Sequence, residues 1–458
     1  MWLVPIMVGF GYLASVLPLI EAVRLPITLV VGVIGFLRPF WTLLLLILAI
    51  PLAPLAEFQI GEQTVGMTEP IAGLLLFGWL ASSLARREIR LEGGALLAPM
   101  LAVLTVMVAS LLVAKETGAS VNEILKWVEL LGVFLFVTAT VRRRGQVYAI
   151  LTMLFAAATL EAAIGLFQFV SGAGPSFFAI GGFLRAYGTF GQPNPFAGYL
   201  ATVLPVALAV ALMGRAAMPA RLHRLAILAC VVLAAAILTS LSRGTWMAIT
   251  LGLGALLLAW ETRTRRYVIP GALVLVMLGL LTALGLLPEV LTDRIRAIYD
   301  NFGVFDARYV DLTPLNFAVV ERMAHWQAAW YMFLANPLLG VGIGNYASVY
   351  LDYALQRWPD PLGHAHNYYL NTLAETGVIG LATLLWVLVT AYAFLFGALR
   401  HTRGQIERAL LVGVLGSLVV FTTFNTFDSL FVHGMTMQLG LLLGIAFAAR
   451  RGLEAPGG

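Results

Sequence analysis

Two histidines and an asparagine stand together in the run His364-Ala365-His366-Asn367-Tyr368-Tyr369-Leu370, at the mouth of a strongly apolar segment. Imidazole is the side chain best suited to accept a proton near neutral pH. Backbone N–H groups at the start of a helix favour an anion. His366 is therefore a candidate general base beside an anionic substrate. Three further polar elements share its side of the chain. Leu184-Arg185-Ala186-Tyr187-Gly188-Thr189-Phe190-Gly191-Gln192-Pro193-Asn194-Pro195 is stiffened by two prolines and two glycines, and it offers Arg185, Tyr187, Gln192 and Asn194. Leu241-Ser242-Arg243-Gly244-Thr245-Trp246 is a tight turn between apolar runs, where an arginine is costly to leave unpaired. Arg322 lies in a helical pattern with His325 one turn on. The planar guanidinium fork binds phosphate oxygens bidentately. Arginines that hold a diphosphate, with a neutral histidine to activate a hydroxyl, describe group transfer from a phosphate-activated donor, and such a reaction needs no metal if the leaving charge is stabilised.

Other readings compete at each position. Arg243 can be an arginine snorkelling to the interface, Arg322 a solvated helix charge, and a lone histidine is more often structural than catalytic. His364-x-His366 could begin a metal site with Asp360 as third ligand, but no H-E-x-x-H or comparable spacing exists. The expectation is no metal and no cofactor. Glu375 stands about 180° round a helix from His366 and about 14 Å deeper, so it reads as a buried packing residue. Asp428, in a brief turn between the last two apolar runs, and His433 can border the site. His223 and His401 fall in the opposite loops and are set aside.

The elements that must position these residues are membrane helices. Of 458 residues, 60% are hydrophobic and only 11% charged, whereas soluble domains carry about 25% charged residues. The single cysteine, Cys230, excludes an intrachain disulfide and a thiolate metal site. Apolar runs predict spans at 2–20, 25–37, 39–56, 70–85, 94–114, 121–141, 146–170, 196–213, 225–241, 244–260, 267–287, 367–396, 409–427 and 430–449. The 25–37 piece is short for a core of about 30 Å. The fold class is thus an all-α integral membrane protein of about 12–14 transmembrane helices. The first run lacks a basic leader and a small-residue cleavage site, and reads as a span rather than a removed signal peptide. Arginine clusters at 86–90, 142–144, 215–224, 263–266, 400–408 and 450–451 fall in alternate loops, which places that side in the cytoplasm. The other side holds 57–69, 115–120, 171–195, 240–243 and 288–366. One membrane domain is expected, in three parts: an N-terminal bundle (1–287), a long external loop with surface helices (288–366) and C-terminal helices (367–458). In the loop, Val319, Met323, Trp326, Trp330 and Phe333 recur at helical spacing, an amphipathic pattern suited to a membrane surface. The glycine-rich LLGVGIGNY follows no strand and is no dinucleotide fingerprint.

Together these elements resemble the O-antigen ligase/polymerase superfamily, polytopic enzymes that move glycans from a polyprenyl-diphosphate carrier on the external face of the inner membrane. GTFGQPNPFAGYL looks like the family's first loop and SLSRGTWMAI like its Ser-Arg-Gly turn. ERMAHWQAAWYMFLANPLLGVGIGNY and AHNYYLNTLAETGVIGL look like its long loop and following helix, and the last is the specific part. The resemblance makes Arg243, Arg322 and His366 the counterparts of the family's essential arginines and histidine. It implies a polyprenyl-diphosphate-linked glycan donor, a lipid or polysaccharide acceptor, a setting among membrane lipids, and no nucleic acid. Arg185 would assist at the diphosphate. Asn194, Asn367 and Tyr369 would orient the base or the sugars, Trp326 and Trp330 would offer stacking faces or a lipid anchor, and His364 would contact substrate. Tyr368 stands where many ligases carry an acidic residue, and His364 is an addition. Ligase and polymerase both stay open. The rival class, a small-anion transporter, should show ionisable residues near the bilayer midplane. Only Glu129, Glu161 and Glu375 qualify, and no inverted repeat is evident.

Overall fold

The computed structural model describes residues 32–55, 57–60, 63–88, 91–260, 303–313 and 316–454, with isolated positions between 277 and 295. The expected spans 2–20 and 267–287, and most of 25–37, lie outside the described residues. The remaining eleven expected spans coincide with helices. In chain order these are α1 (Pro39–Leu52), α2 (Thr68–Ala85), α3 (Leu97–Ser110), α4 (Thr117–Thr140), α5 (Arg144–Ser171), α6 (Pro193–Leu212), α7 (Ala220–Thr239) and α8 (Arg243–Ala259). The loop helix α9 (Phe317–Ala335) comes next, then α10 (Tyr368–His401), α11 (Gln405–Phe424) and α12 (Met435–Arg451). Among the described residues Glu57–Ile60 pairs antiparallel with Gln63–Gly66, and Ala179–Ile180 with Phe183–Leu184. The protein is an all-α integral membrane protein. Among the described residues seven helices are long and apolar enough to cross a membrane, and α1 and α8 are shorter apolar helices.

The centre of the bundle is formed by α6, α11 and α12, which are buried nearly all round, as expected of helices apolar on every side. Small residues let them approach their neighbours closely. A Cβ at Gly252 of α8 would stand 2.8 Å from the Gly416 carbonyl of α11, and one at Gly440 of α12 would stand 2.4 Å from the Leu130 carbonyl of α4. Ser417 donates to the Thr202 carbonyl (2.6 Å) and Gln438 to the Thr202 hydroxyl (2.8 Å), which ties α11 and α12 to α6.

The loops divide between two ends of the bundle. At one end Arg142 and Arg451 each meet Glu92 (2.5 Å), and Arg144 meets Glu407 (3.2 Å). This is the arginine-rich side. At the other end the Asn345 amide accepts from Glu116 N (2.6 Å) and donates to Ser120 (2.9 Å), fastening the long loop to the start of α4.

The long loop docks on a break in α10. Gly377 has left-handed φ (66°) and interrupts the helix. The carbonyls freed there, of Ala374 and Glu375, accept from Val341 and Gly342 of the glycine-rich segment, both at 2.9 Å, and Val378 N donates to Pro337 O at 2.9 Å. A Cβ at Gly377 would lie 2.2 Å from the Leu338 carbonyl, so this backbone-on-backbone docking requires glycine. Glu375 is buried as expected and accepts from Tyr346 N (2.9 Å). Helix α9 buries Val320, Met323, Ala324, His325, Ala328, Ala329 and Met332, while Trp330 is 45% exposed. Small side chains seat α9 against α10, and the larger aromatic points outward.

Candidate active site

Four helix ends meet at the loop 425–434. Because α6 and α11 are packed neighbours, the start of α6, at Asn194, lies beside the end of α11 and the residues that follow it. Gly244, in the first turn of α8, packs on Phe427, with a Cβ there standing 3.2 Å from the Phe427 Cβ. Tyr368 N, at the start of α10, donates to Asn425 O (2.8 Å). Asn425 also accepts from Leu430 N (2.8 Å), which shapes the turn.

Asp428, only 7% exposed, is the centre of the resulting cluster. Its Oδ1 lies 3.5 Å from His366 Nδ1 and 3.7 Å from His364 Nε2, and accepts from Ser429 N (3.0 Å). Its Oδ2 accepts from the Asn194 amide (2.9 Å) and lies 3.9 Å from an Arg322 terminal nitrogen. Asn194 in turn accepts from Arg185 (2.9 Å), whose Nε donates to Ser240 O (2.7 Å) in the turn carrying Arg243. A continuous polar chain thus joins all four elements singled out in the sequence. Arg243 itself is half-buried at the first position of α8. Burial alone would raise the Asp428 carboxyl, but His366, His364 and Arg322 beside it hold it well below the usual carboxylate range.

His366 sits in left-handed backbone, φ 51°. This conformation costs a non-glycine residue about 1–3 kcal/mol and persists only where the surroundings dictate it. Here the His366 N–H is accepted by His364 Nδ1 (3.0 Å) and its carbonyl receives Trp326 Nε1 (3.4 Å). Ala365 N is held by Asn371 (3.1 Å). Behind His366 lies His325, 1% exposed, edge-on at 5.7 Å between ring centroids and 2.9 Å from the Tyr346 hydroxyl. Burial, then the neighbouring His366 and His364, lower His325 to about 4. Burial likewise lowers His364 to about 4, against the opposing pull of Asp428.

Several expected substrate contacts are spent on the fold. Asn367 caps α10, accepting from Tyr369 N (3.0 Å) and Leu370 N (3.1 Å). The Tyr369 hydroxyl donates to Thr422 O (2.8 Å) between α10 and α11. Arg185 is engaged by protein acceptors on two sides. Trp326 lines the cluster through the His366 carbonyl. Sequence reasoning placed Asp428 only at the border of the site, and Asp360 was the acidic neighbour it considered for the histidine pair. The residue that fills that place is Asp428, distant in sequence. Glu161 and Gln168 were also missed as supports. Two turns apart on α5, they grip the first loop, Glu161 accepting from Thr189 N (2.7 Å) and Gln168 from Gly188 N (2.7 Å).

His364, His366 and Asp428 bring three ligand-type atoms within 4.8 Å of one another. The donor set fits a metal poorly. His364 Nδ1 accepts a backbone N–H, so in the neutral ring Nε2 carries the proton and has no lone pair for an ion. The Arg322 guanidinium also stands where an ion's charge would be repelled.

The bundle and this cluster define a polytopic membrane protein with one composite site of arginine, histidine and carboxylate at the end opposite the arginine-rich loops. Residues 228–385, from α7 into α10, match the family model described as O-antigen ligase, which supports the resemblance to the O-antigen ligase/polymerase superfamily. The matched stretch contains Arg243, Arg322, His364 and His366; Arg185, Asn194 and Asp428 lie outside it. No curated protein matches the chain significantly.

Proposed function

We propose that the protein is an inner-membrane glycosyltransferase of the O-antigen ligase type, acting at the external face. It would transfer a glycan from a polyprenyl-diphosphate carrier to an acceptor hydroxyl. The observation that carries this reading is the shared carboxylate: Asp428 faces His366 through one oxygen and Arg322 through the other. His366 Nδ1 is buried with no hydrogen-bond partner among the described residues and has Asp428 Oδ1 as its acidic neighbour at 3.5 Å, which favours the tautomer with the proton on Nδ1 and the lone pair on Nε2. His366 Nε2 takes the proton of the acceptor hydroxyl as its oxygen bonds to the anomeric carbon. The bond from that carbon to the diphosphate oxygen breaks, and the electron pair leaves with the diphosphate. Arg322 and Arg243 receive the departing charge. Arg322 supports this role with a buried Nε that has no hydrogen-bond partner among the described residues. No step requires a metal or cofactor. Polymerisation is the same chemistry with a growing glycan as acceptor. The positive-inside pattern supports the external location. Of the three carboxyls that could serve a transporter, Glu161 and Glu375 are tied to loop backbone at the site end, which leaves Glu129, buried in α4, as the remaining candidate.

The test is transfer in vitro from a polyprenyl-diphosphate glycan to candidate acceptors. His366→Ala should lower turnover by about 10²–10⁴-fold while donor binding persists. Ordinary turnover in that variant ends the mechanism.

A further inference from the structure

We infer that His364 is a positioning residue: a neutral, Nε2-protonated imidazole that braces the left-handed backbone of His366 and helps fix the carboxylate that orients it. This rests on the reading of His366 as the base, and it replaces the expectation that His364 contacts substrate.

The hydrogen bond from His366 N to His364 Nδ1, at 3.0 Å, decides the tautomer. A nitrogen that accepts cannot carry a proton, so the ring proton is on Nε2. That N–H then faces Asp428 Oδ1, 3.7 Å away, the same oxygen that faces His366 Nδ1 at 3.5 Å. The two rings stand edge to face with centroids 4.5 Å apart. One side chain therefore touches the base twice, through its backbone amide and through the carboxylate. The brace is needed because φ at His366 is 51°, a conformation in which the peptide does not rest unaided. The extended alternative would swing the His366 side chain away from Asp428. His364 is also unsuited to be the base itself, since its only lone pair is already occupied by the backbone.

Asparagine and glutamine separate the two contacts. An asparagine amide oxygen falls near the place of Nδ1, and a glutamine amide falls near Nε2. His364→Ala should lower kcat by about tenfold, the worth of a lost buried hydrogen bond, with donor KM unchanged. His364→Asn should recover most of that loss and His364→Gln little of it. Equal losses in the asparagine and alanine variants, no loss in alanine, or a loss that falls in KM would each overturn the inference. A second readout does not depend on turnover. With ¹⁵N-labelled histidine, the spectral line lost in His364→Ala should show an unprotonated Nδ1 and a protonated Nε2 at pH 7. The opposite tautomer refutes the brace even if His366→Ala is inactive. The expected tautomer together with an active His366→Ala enzyme would leave the brace standing and remove the base.

Discussion

Asp428→Asn is the sharpest perturbation, because it changes charge without volume. In the wild type one oxygen faces both histidines and accepts from Ser429 N, and the other receives Asn194 and faces Arg322. An amide can satisfy only part of this set. If its oxygen stays on Ser429, its NH2 meets the Asn194 NH2, donor against donor, and Arg322 loses its carboxylate at 3.9 Å. If it flips, an NH2 faces His366 Nδ1 and favours the tautomer with the proton on the nitrogen that should accept. Either way the base loses its orientation or its lone pair. Losing general-base function costs about 10²–10⁴-fold, which corresponds to about 2.7–5.4 kcal/mol of transition-state stabilisation. Steady-state transfer by purified enzyme, with donor concentration varied, should show this loss in kcat with donor KM within a few-fold of wild type. A fall in kcat of less than about tenfold would refute the idea that Asp428 sets the state of His366.

Three further outcomes are expected. Arg322→Lys and Arg243→Lys keep a positive charge but lose the fork, and should raise donor KM by about tenfold or more; near-wild-type donor KM in both removes the bidentate diphosphate contact. Transfer should survive dialysis against EDTA, and loss of activity restored by a divalent ion would recast His364, His366 and Asp428 as ligands. His325 and His364 titrate near 4 in the fold against 6.5 unfolded, so the unfolded chain binds more protons between these values. Their contribution is complete above pH 6.5 and is lost as pH falls toward 4. The melting temperature should drop across that window, less steeply in His364→Asn, and an unchanged slope would show that His364 is not held neutral.

The sequence by itself determined the class of protein and the places of its described helices, because length and hydropathy are local properties. A run of about 20 apolar residues has few alternatives to a membrane helix. It also determined the short motifs: the arginine in the Ser-Arg-Gly turn, Arg322 on its helix and His366 before α10. Tertiary structure decided what those motifs do together. Asp428 is bonded to Asn194 because the end of α11 lies beside the start of α6, and no local pattern encodes which helix ends meet. Asn367 and Tyr369 read as polar groups at a site mouth, but a cap and an interhelical carbonyl claim them first, since buried polar atoms must be satisfied before they can serve a substrate. The apolar stripe of α9 is legible as a pattern, but only packing decides that Met323 is buried while Trp330 stays exposed. The role of His364 depends on a backbone angle two residues away, and that angle exists only because the docked loop, α9 and the Asp428 turn hold it.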